Sequence, residues 1–255
     1  MIERTVDTTV GRVTVYLSEK TTSVPFVFLH GVYLDHSIWN NIIEDSFFSN
    51  QSFILIDMPL HGKSKEIHAT WDLDQCAKML LEILEALHVE SVIAVGHSWG
   101  SMVILRSAHL HPEKFNRIIL CNMPYEKLSP SSKLLVKLRH SMLTFSDFYY
   151  HQAAKSMMAK SSIQMNPHLL ETFISMMSTL SKDELKKTDQ EVLLNAADTS
   201  HLIHTLKIPT VMIKGKEDYV PLPSLTLRYT ISGGHISPLE APQEVISIIK
   251  SNVRS

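Results

Sequence analysis

Short apolar runs alternate with helical patterns along much of the chain, and this alternation constrains the fold more than any other feature. The runs PFVFLHG, SFILIDMP, SVIAVG and FNRIILCN have the length and composition of buried strands. Between them lie stretches with apolar residues at helical spacing, the clearest of which begins at Asp72. Strands separated by helices predict parallel β-α-β units, and therefore an α/β fold with a mostly parallel sheet flanked by helices.

Two regions depart from this alternation. The runs IERTV and RVTVYL meet near Gly11 and predict an antiparallel hairpin. Residues 125–205 contain several helix starts but no convincing strand, and strands resume with IPTVMIKG and LRYTIS. We therefore expect a core formed by residues 1–124 and 206–255, with an all-helical cap at 125–205 inserted over the ligand-binding edge of the sheet.

Composition narrows the possible partners. A chain of 255 residues with a net charge of −2 offers no electrostatic reason to bind nucleic acid or an anionic membrane. The first residues lack the pattern of a signal peptide, and no apolar run reaches the roughly 18 residues of a membrane span. The two cysteines, Cys76 and Cys121, match no metal or redox spacing. We expect a soluble, cytoplasmic protein without metal or cofactor, whose partner is a small molecule; its oligomeric state is undetermined.

Most of the glycines follow predicted strands. They occur in the segments HGVYLD, DMPLHGKS, GHSWG, KGKED and SGGH. Glycine is the residue that allows a tight turn or a close approach of another group. Ligands of open α/β sheets bind outside the carboxyl ends of the strands. The glycines therefore predict where a site lies, although ordinary turns would give the same pattern.

Ser98 lies between two glycines in GHSWG, directly after a predicted strand and before a predicted helix. This strand–turn–helix context is the one in which a G-x-S-x-G motif presents a nucleophilic serine. Such a turn strains the serine backbone, and it needs small neighbours because the strand and helix backbones nearly touch. The helix N-terminus also favours a developing negative charge.

A serine hydroxyl needs a base to accept its proton and a third group to orient that base. Among 14 histidines, His235 has the most suitable position, because it follows the last predicted strand in a glycine-rich loop. Asp218 follows the preceding strand and is the preferred acid, with its neighbour Glu217 left open. His30, His61 and His97 lie in the glycine-containing segments, and we expect them to pack or to form hydrogen bonds with the backbone.

The order Ser98, Asp218, His235 resembles that of the α/β-hydrolase superfamily, as do the HG pair, the D-x-x-x-H-G-x-S segment and the late G-G-H. The resemblance covers roughly residues 10–125 and 200–250. It implies an oxyanion hole formed by the backbone N–H groups of Val32 and Trp99. The sequence departs from the family between Asp218 and His235, which are only 17 positions apart. This leaves little room for the usual helix and predicts a thinly covered sheet edge.

The resemblance implies acyl transfer to water, and a small or medium carboxylic ester is the favoured substrate. Apolar residues of the predicted cap favour an apolar pocket, although helical Met and Leu spacing is usually just core. The predicted pocket residues are His30, Met142, Phe145, Met157 and Met176.

Other functions remain open at this point. GHSWG resembles proline iminopeptidases, but HGVYLD differs from their oxyanion loop and the cap shows no clear acidic cluster. Basic residues near Lys133 and Lys137 weakly resemble thioesterases that act on carrier-bound acyl groups. Carbon–carbon hydrolases and lactonases share the framework. A ligand receptor or regulatory partner on a hydrolase scaffold is an alternative of another class.

Overall fold

The structure, a computed structural model, describes residues 1–20, 22, 24–224 and 227–253. Its centre is an eight-stranded sheet with the order β1-β2-β4-β3-β5-β6-β7-β8. The strands are β1 Ile2–Thr8, β2 Gly11–Leu17, β3 Phe26–Leu29, β4 Phe53–Ile56, β5 Val92–His97, β6 Phe115–Cys121, β7 Thr210–Gly215 and β8 Arg228–Ile231.

Pairing follows the sequence prediction. β1 and β2 form the antiparallel hairpin at Gly11, β2 pairs antiparallel with β4, and the other neighbours are parallel. All residues of β3 and β4 are buried, because helices cover both faces of a parallel sheet. The predicted α/β fold with a mostly parallel sheet is confirmed.

Eleven α-helices lie within the described residues. They are α1 Asn40–Ile43, α2 Leu73–Ala86, α3 Trp99–Leu110, α4 Pro130–Ser141, α5 Ser146–Met157, α6 Lys160–Met165, α7 His168–Ser178, α8 Lys182–Thr188, α9 Ser200–Thr205, α10 Ser237–Glu240 and α11 Pro242–Val253. A π-helical segment, Asp189–Leu194, follows α8. Residues 125–205 thus contain helices and no strand. None of the helices in the described ranges is long and apolar enough to cross a membrane.

The stretch HSIWNNIIEDSFF is less regular than its pattern predicts. It forms two 3₁₀ segments, His36–Trp39 and Ser46–Asn50, on either side of the single turn of α1. The side chains of Asp35 and Asp45 accept hydrogen bonds from backbone N–H groups two residues ahead. Such local bonds compete with a continuous helix and restart the chain at each aspartate.

The register of the parallel strands brings their carboxyl ends to one edge. Leu29 pairs with Gly96, Gly96 with Leu120, and Cys121 with Ile213. The residues that follow these strands therefore lie side by side. Between β7 and β8 no helix forms among the described residues, although Leu225 and Thr226 of the short PLPSLT segment lie outside them. β8 is the edge strand, and two of its four residues, Arg228 and Thr230, are exposed.

Candidate active site

Ser98 occupies a strained turn between β5 and α3. Its backbone has φ 50° and ψ −111°, a conformation that residues other than glycine rarely adopt. A Cβ atom at Gly100 would lie 2.3 Å from the carbonyl oxygen of Leu29, so only glycine fits where α3 approaches β3. The Gly100 N–H donates to the carbonyl of His30 at 3.1 Å. Both the strain and the close approach expected from the GHSWG motif are present.

His235 lies within hydrogen-bond reach of Ser98. Its Nε2 is 2.9 Å from the Ser98 Oγ, and its Nδ1 is 2.9 Å from a carboxylate oxygen of Asp218. Because a carboxylate only accepts hydrogen bonds, Nδ1 carries the proton and Nε2 is free to accept from the serine hydroxyl. The backbone of His235 is also fixed: its N–H donates to the carbonyl of Met157 at 2.7 Å, and its carbonyl accepts from His97 Nε2 at 2.7 Å.

Asp218 is buried and accepts three hydrogen bonds from other residues. The donors are the His235 ring, the Val220 N–H at 3.1 Å and the Asn122 side-chain amide at 2.8 Å. Burial alone would raise the pKa of Asp218, but the hydrogen bonds from His235 and Asn122 outweigh it and lower the pKa below its ordinary value. The carboxylate therefore stays ionised beside the imidazole.

Glu217, the alternative acid, faces elsewhere. Its carboxylate accepts from the Ser161 hydroxyl at 2.5 Å and from the Lys160 N–H at 3.2 Å, both in α6. The side chain thus connects the turn after β7 to residues 125–205, and its hydrogen bonds are directed to α6 rather than to His235. The acid that bonds to the His235 imidazole is therefore Asp218 and not Glu217.

Asn122 is a residue of this site that the sequence reasoning missed. It follows β6 in the left-handed region, with φ 51°. Its amide donates to Asp218 and to the carbonyl of Gly234 at 3.1 Å, and its oxygen accepts from the Ser237 hydroxyl at 2.5 Å. Asn122 thereby connects the acid to the loop that carries His235. The signal was available, since Asn122 is a polar residue directly after a strand that ends at the same edge as β5.

Two backbone N–H groups, those of Val32 and Trp99, belong to segments next to Ser98. Trp99 begins α3, so its N–H is among the first four of the helix, which have no acceptor within the helix. Within the part of the chain that the structure describes, the Val32 N–H has no acceptor. The loop of Val32 lies against the serine, because a Cβ at Gly31 would be 3.0 Å from the Ser98 Cβ. This is an arrangement that can receive an oxyanion.

The three buried histidines near the site support the backbone, as the sequence predicts. His30 Nε2 accepts from the Met58 N–H at 2.9 Å, and His61 Nε2 accepts from the Tyr33 N–H at 3.0 Å. His97 holds the carbonyl of His235. Burial lowers the pKa of His30, and it lowers the pKa of His61 and of His97 to about 3. All three rings are therefore neutral at pH 7.

These lowered pKa values predict that the fold loses stability in mild acid. The unfolded chain binds protons at histidine near pH 6.5, whereas the folded chain binds them only near pH 3. The free energy of unfolding should therefore fall below about pH 6.5, by up to about 1.4 kcal/mol per pH unit for each such histidine. Urea unfolding at about pH 7.5, 6 and 5 measures this. An unchanged free energy of unfolding across this pH range would contradict the prediction.

The predicted pocket residues lie in different places. His30 is fully buried with both ring nitrogens hydrogen-bonded, and the backbone carbonyl of Met157 contacts His235. Met142 lines a cavity of about 400 Å³ between α4 and α5, and Met176 lines another of about 470 Å³ with Asp35. The Phe145 side chain is instead 71% exposed, because it lies at the turn that precedes α5. Substrate contact by these residues stays a prediction.

No group of histidine, cysteine, aspartate and glutamate in the described ranges is arranged to hold a metal ion. Cys76 and Cys121 are buried free thiols.

Comparison with known proteins identifies the family. A family profile described as alpha/beta hydrolase fold matches residues 24–226, most of the chain. The chain belongs to the α/β-hydrolase fold family. A solved structure similar to this α/β hydrolase is a thermophilic esterase from Thermogutta terrifontis, determined with malate bound. The two agree with a TM-score of 0.86 at 19% identity, over 100% of this chain and 98% of that one, which shows a shared fold.

Two curated relatives also resemble this α/β hydrolase. An (E)-2-((N-methylformamido)methylene)succinate hydrolase from Acinetobacter baylyi (strain ATCC 33305 / BD413 / ADP1) is 26% identical over 138 residues, which cover 54% of this chain and 51% of the relative. The match thus spans about half the length of that relative. An uncharacterized hydrolase, YugF, from Bacillus subtilis (strain 168) is 24% identical over 74% of this chain and 76% of the relative. The family match shows the α/β-hydrolase fold, and both of these relatives carry the name of a hydrolase.

Proposed function

We propose that this α/β hydrolase cleaves a small or medium carboxylic ester through an acyl-enzyme on Ser98. The observation that carries the proposal is the hydrogen-bonded chain from the Ser98 Oγ through His235 to Asp218, with 2.9 Å at both steps. The strained turn of Ser98 and the N–H groups of Val32 and Trp99 support it. A serine lacking this base and acid would be a poor nucleophile.

The first half of the reaction forms the acyl-enzyme. His235 Nε2 removes the hydroxyl proton as the Ser98 Oγ attacks the ester carbonyl carbon. The carbonyl oxygen becomes an oxyanion, which the N–H groups of Val32 and Trp99 stabilise, each by about 2.7–4 kcal/mol if they act as such donors usually do. Asp218 stabilises the imidazolium that forms. When the tetrahedral intermediate collapses, the C–O bond breaks and His235 gives its proton to the leaving alcohol.

The second half repeats these steps with water. His235 removes a proton from water, the resulting hydroxide attacks the acyl carbon, and a second oxyanion forms between the same N–H groups. Collapse of this intermediate returns the proton to the Ser98 Oγ and releases the carboxylic acid. Residues 125–205 act in this proposal as a cap over the strand ends, a role supported by the hydrogen bonds of Met157 to His235 and of Ser161 to Glu217.

An apolar acyl group is favoured by the surfaces that residues 125–205 present. The cavity between α4 and α5 is lined by Met142, Phe148 and Tyr149 together with Arg139 and Gln152, and it does not include Ser98 or His235. Methionine adapts to irregular apolar ligands. The structural neighbour from Thermogutta terrifontis is called an esterase, which agrees with this choice. Its 19% sequence identity to this chain supports the shared fold alone.

The proposal is tested with a series of p-nitrophenyl esters from acetate to decanoate. We expect turnover with an optimum at short or medium chains, because a bounded pocket gains about 0.8 kcal/mol per buried methylene until it is full. A proline p-nitroanilide is the matched amide control and should react far more slowly. Turnover of the anilide but of no ester would overturn the ester proposal and favour a peptidase.

A further inference from the structure

A buried carboxylate outside the Ser98–His235–Asp218 chain connects the proposed cap to the oxyanion loop. Asp189 is 1% exposed and begins the π-helical segment Asp189–Leu194. One of its oxygens accepts from the Tyr33 hydroxyl, and the other accepts from His140 Nε2 at 2.8 Å. We call Tyr33, Asp189 and His140 the carboxylate cluster. It joins the loop after β3, α4 and the segment after α8, which are distant in sequence.

Tyr33 is the residue of this cluster that reaches the proposed chemistry. It directly follows Val32, whose N–H is one of the two proposed oxyanion donors. The backbone of Tyr33 is in the left-handed region with φ 67°, and its N–H donates to His61 at 3.0 Å. The side chain is held at its other end by Asp189. A non-glycine residue keeps such a backbone only when its surroundings impose it.

The Tyr33 hydroxyl is a permanent donor. Burial and the Asp189 carboxylate both raise the pKa of Tyr33 well above its ordinary value, so the hydroxyl stays protonated. The ring also packs edge-on against Phe173 at 6.5 Å. Removing only the hydroxyl would leave this packing in place and would release the loop from the carboxylate.

The π-helical segment is fixed on its other side as well. Lys133 of α4 donates to the carbonyl of Leu194 at 2.5 Å, at the end of the segment that Asp189 begins. π-helical turns are rare and occur frequently at functional sites. Here the segment begins with the buried Asp189, whose carboxylate bonds to Tyr33 of the oxyanion loop.

We propose that Tyr33 and Asp189 are positioning residues, which hold the Val32 N–H in the orientation that an oxyanion requires and couple that orientation to the docking of residues 125–205. This inference rests on the proposed function of Ser98. It makes the cap part of the chemistry: when α4 and the π-helical segment are in place, the oxyanion loop is aligned. Neither residue touches the substrate in this role.

The test measures how fast a fluorophosphonate labels Ser98, together with kcat and KM for p-nitrophenyl butyrate. Phosphonylation places an oxygen in the oxyanion site, so its rate reports the alignment of the Val32 N–H without a natural substrate. For Tyr33→Phe we expect the labelling rate and kcat to fall about 10-fold, with KM changed by less than about twofold. The loss is smaller than that from removing an oxyanion donor, because the Val32 N–H is misaligned rather than absent. Asp189→Ala should give a similar loss.

A conservative variant and a neighbouring one distinguish positioning from general packing. Asp189→Asn keeps an oxygen that accepts from Tyr33, and should restore the labelling rate to within about threefold of the original. Thr188→Val changes the adjacent buried side chain, whose hydroxyl has no partner in the described ranges, and should leave the rate unchanged. Thermal unfolding of each variant monitors the fold, and Tyr33→Phe keeps the test decisive if Asp189→Ala does not fold.

The possible outcomes are distinct. If the original protein labels at Ser98 and Tyr33→Phe labels equally fast, the positioning role is overturned and the proposed function stands. A rise in KM at constant kcat, or an equal loss in Thr188→Val, would also overturn it. If the original protein neither labels nor hydrolyses an ester, the proposed nucleophile fails and the positioning role fails with it.

Discussion

Replacing Ser98 with alanine is expected to lower kcat for an ester by about 10⁵-fold or more, to the level left by binding and the oxyanion donors. The reason is that no other hydroxyl is placed at 2.9 Å from His235 Nε2 in the described structure. The fold should persist, because alanine keeps the Cβ and the same backbone. Single-turnover and steady-state rates measure the loss, and circular dichroism checks the fold.

Ser101 is the matched control for Ser98. It is a buried serine in the first turn of α3, three residues after Ser98, and its hydroxyl donates to the carbonyl of Cys121 at 3.2 Å. Ser101→Ala should lower stability by about 1 kcal/mol, the usual net value of one hydrogen bond, and leave kcat within about twofold. Turnover that survives in Ser98→Ala, or that is lost equally in both variants, would remove Ser98 as the nucleophile.

Asp218→Asn is expected to lower kcat by about 10⁴-fold while leaving the geometry nearly intact. An amide can present its NH₂ group to the imidazole and so favour the wrong tautomer, with the proton on Nε2 rather than Nδ1. It also lacks the charge that stabilises the imidazolium. Glu217→Gln is the control, since Glu217 bonds to Lys160 and Ser161, and its kcat should change by less than about threefold.

The opposite result would assign the role of the orienting acid to Glu217 instead of Asp218. A mild Asp218→Asn variant beside a severe Glu217→Gln variant would mean that the loop after β7 rearranges when substrate binds. The Glu217 bonds to α6 would then have to break, and a crystal structure with a covalent phosphonate on Ser98 would show this directly.

The sheet and the position of the site could be predicted from the sequence because both depend on short-range patterns. Apolar runs such as FILI in β4 fix the buried strands, and the glycines two residues before and after Ser98 fix the turn. The hairpin at Gly11 follows from simple alternation. Once the strands are parallel, their register alone brings the residues after β5, β6 and β7 to one edge.

The remaining contacts could not be predicted because they depend on long-range packing. Tyr33 and Asp189 are 156 positions apart, and no spacing rule relates a tyrosine after one strand to an aspartate in a helical region. Asn122 had a local signal, but its partners Asp218 and Ser237 become evident only in three dimensions. The exposure of Phe145 depends on where a helical turn faces, which apolar spacing does not reveal.

The burial of the reacting groups has a consequence for kinetics. Ser98 is 5% exposed and His235 1% exposed, so under the proposed function an acyl chain would reach them through a movement of neighbouring side chains or helices. Each turnover then includes an opening event, and the apparent affinity for a substrate is reduced by the fraction of time spent open. Selectivity among esters would in that case reflect the frequency and width of opening as much as the fit of the closed pocket, and solvent viscosity would slow the overall rate.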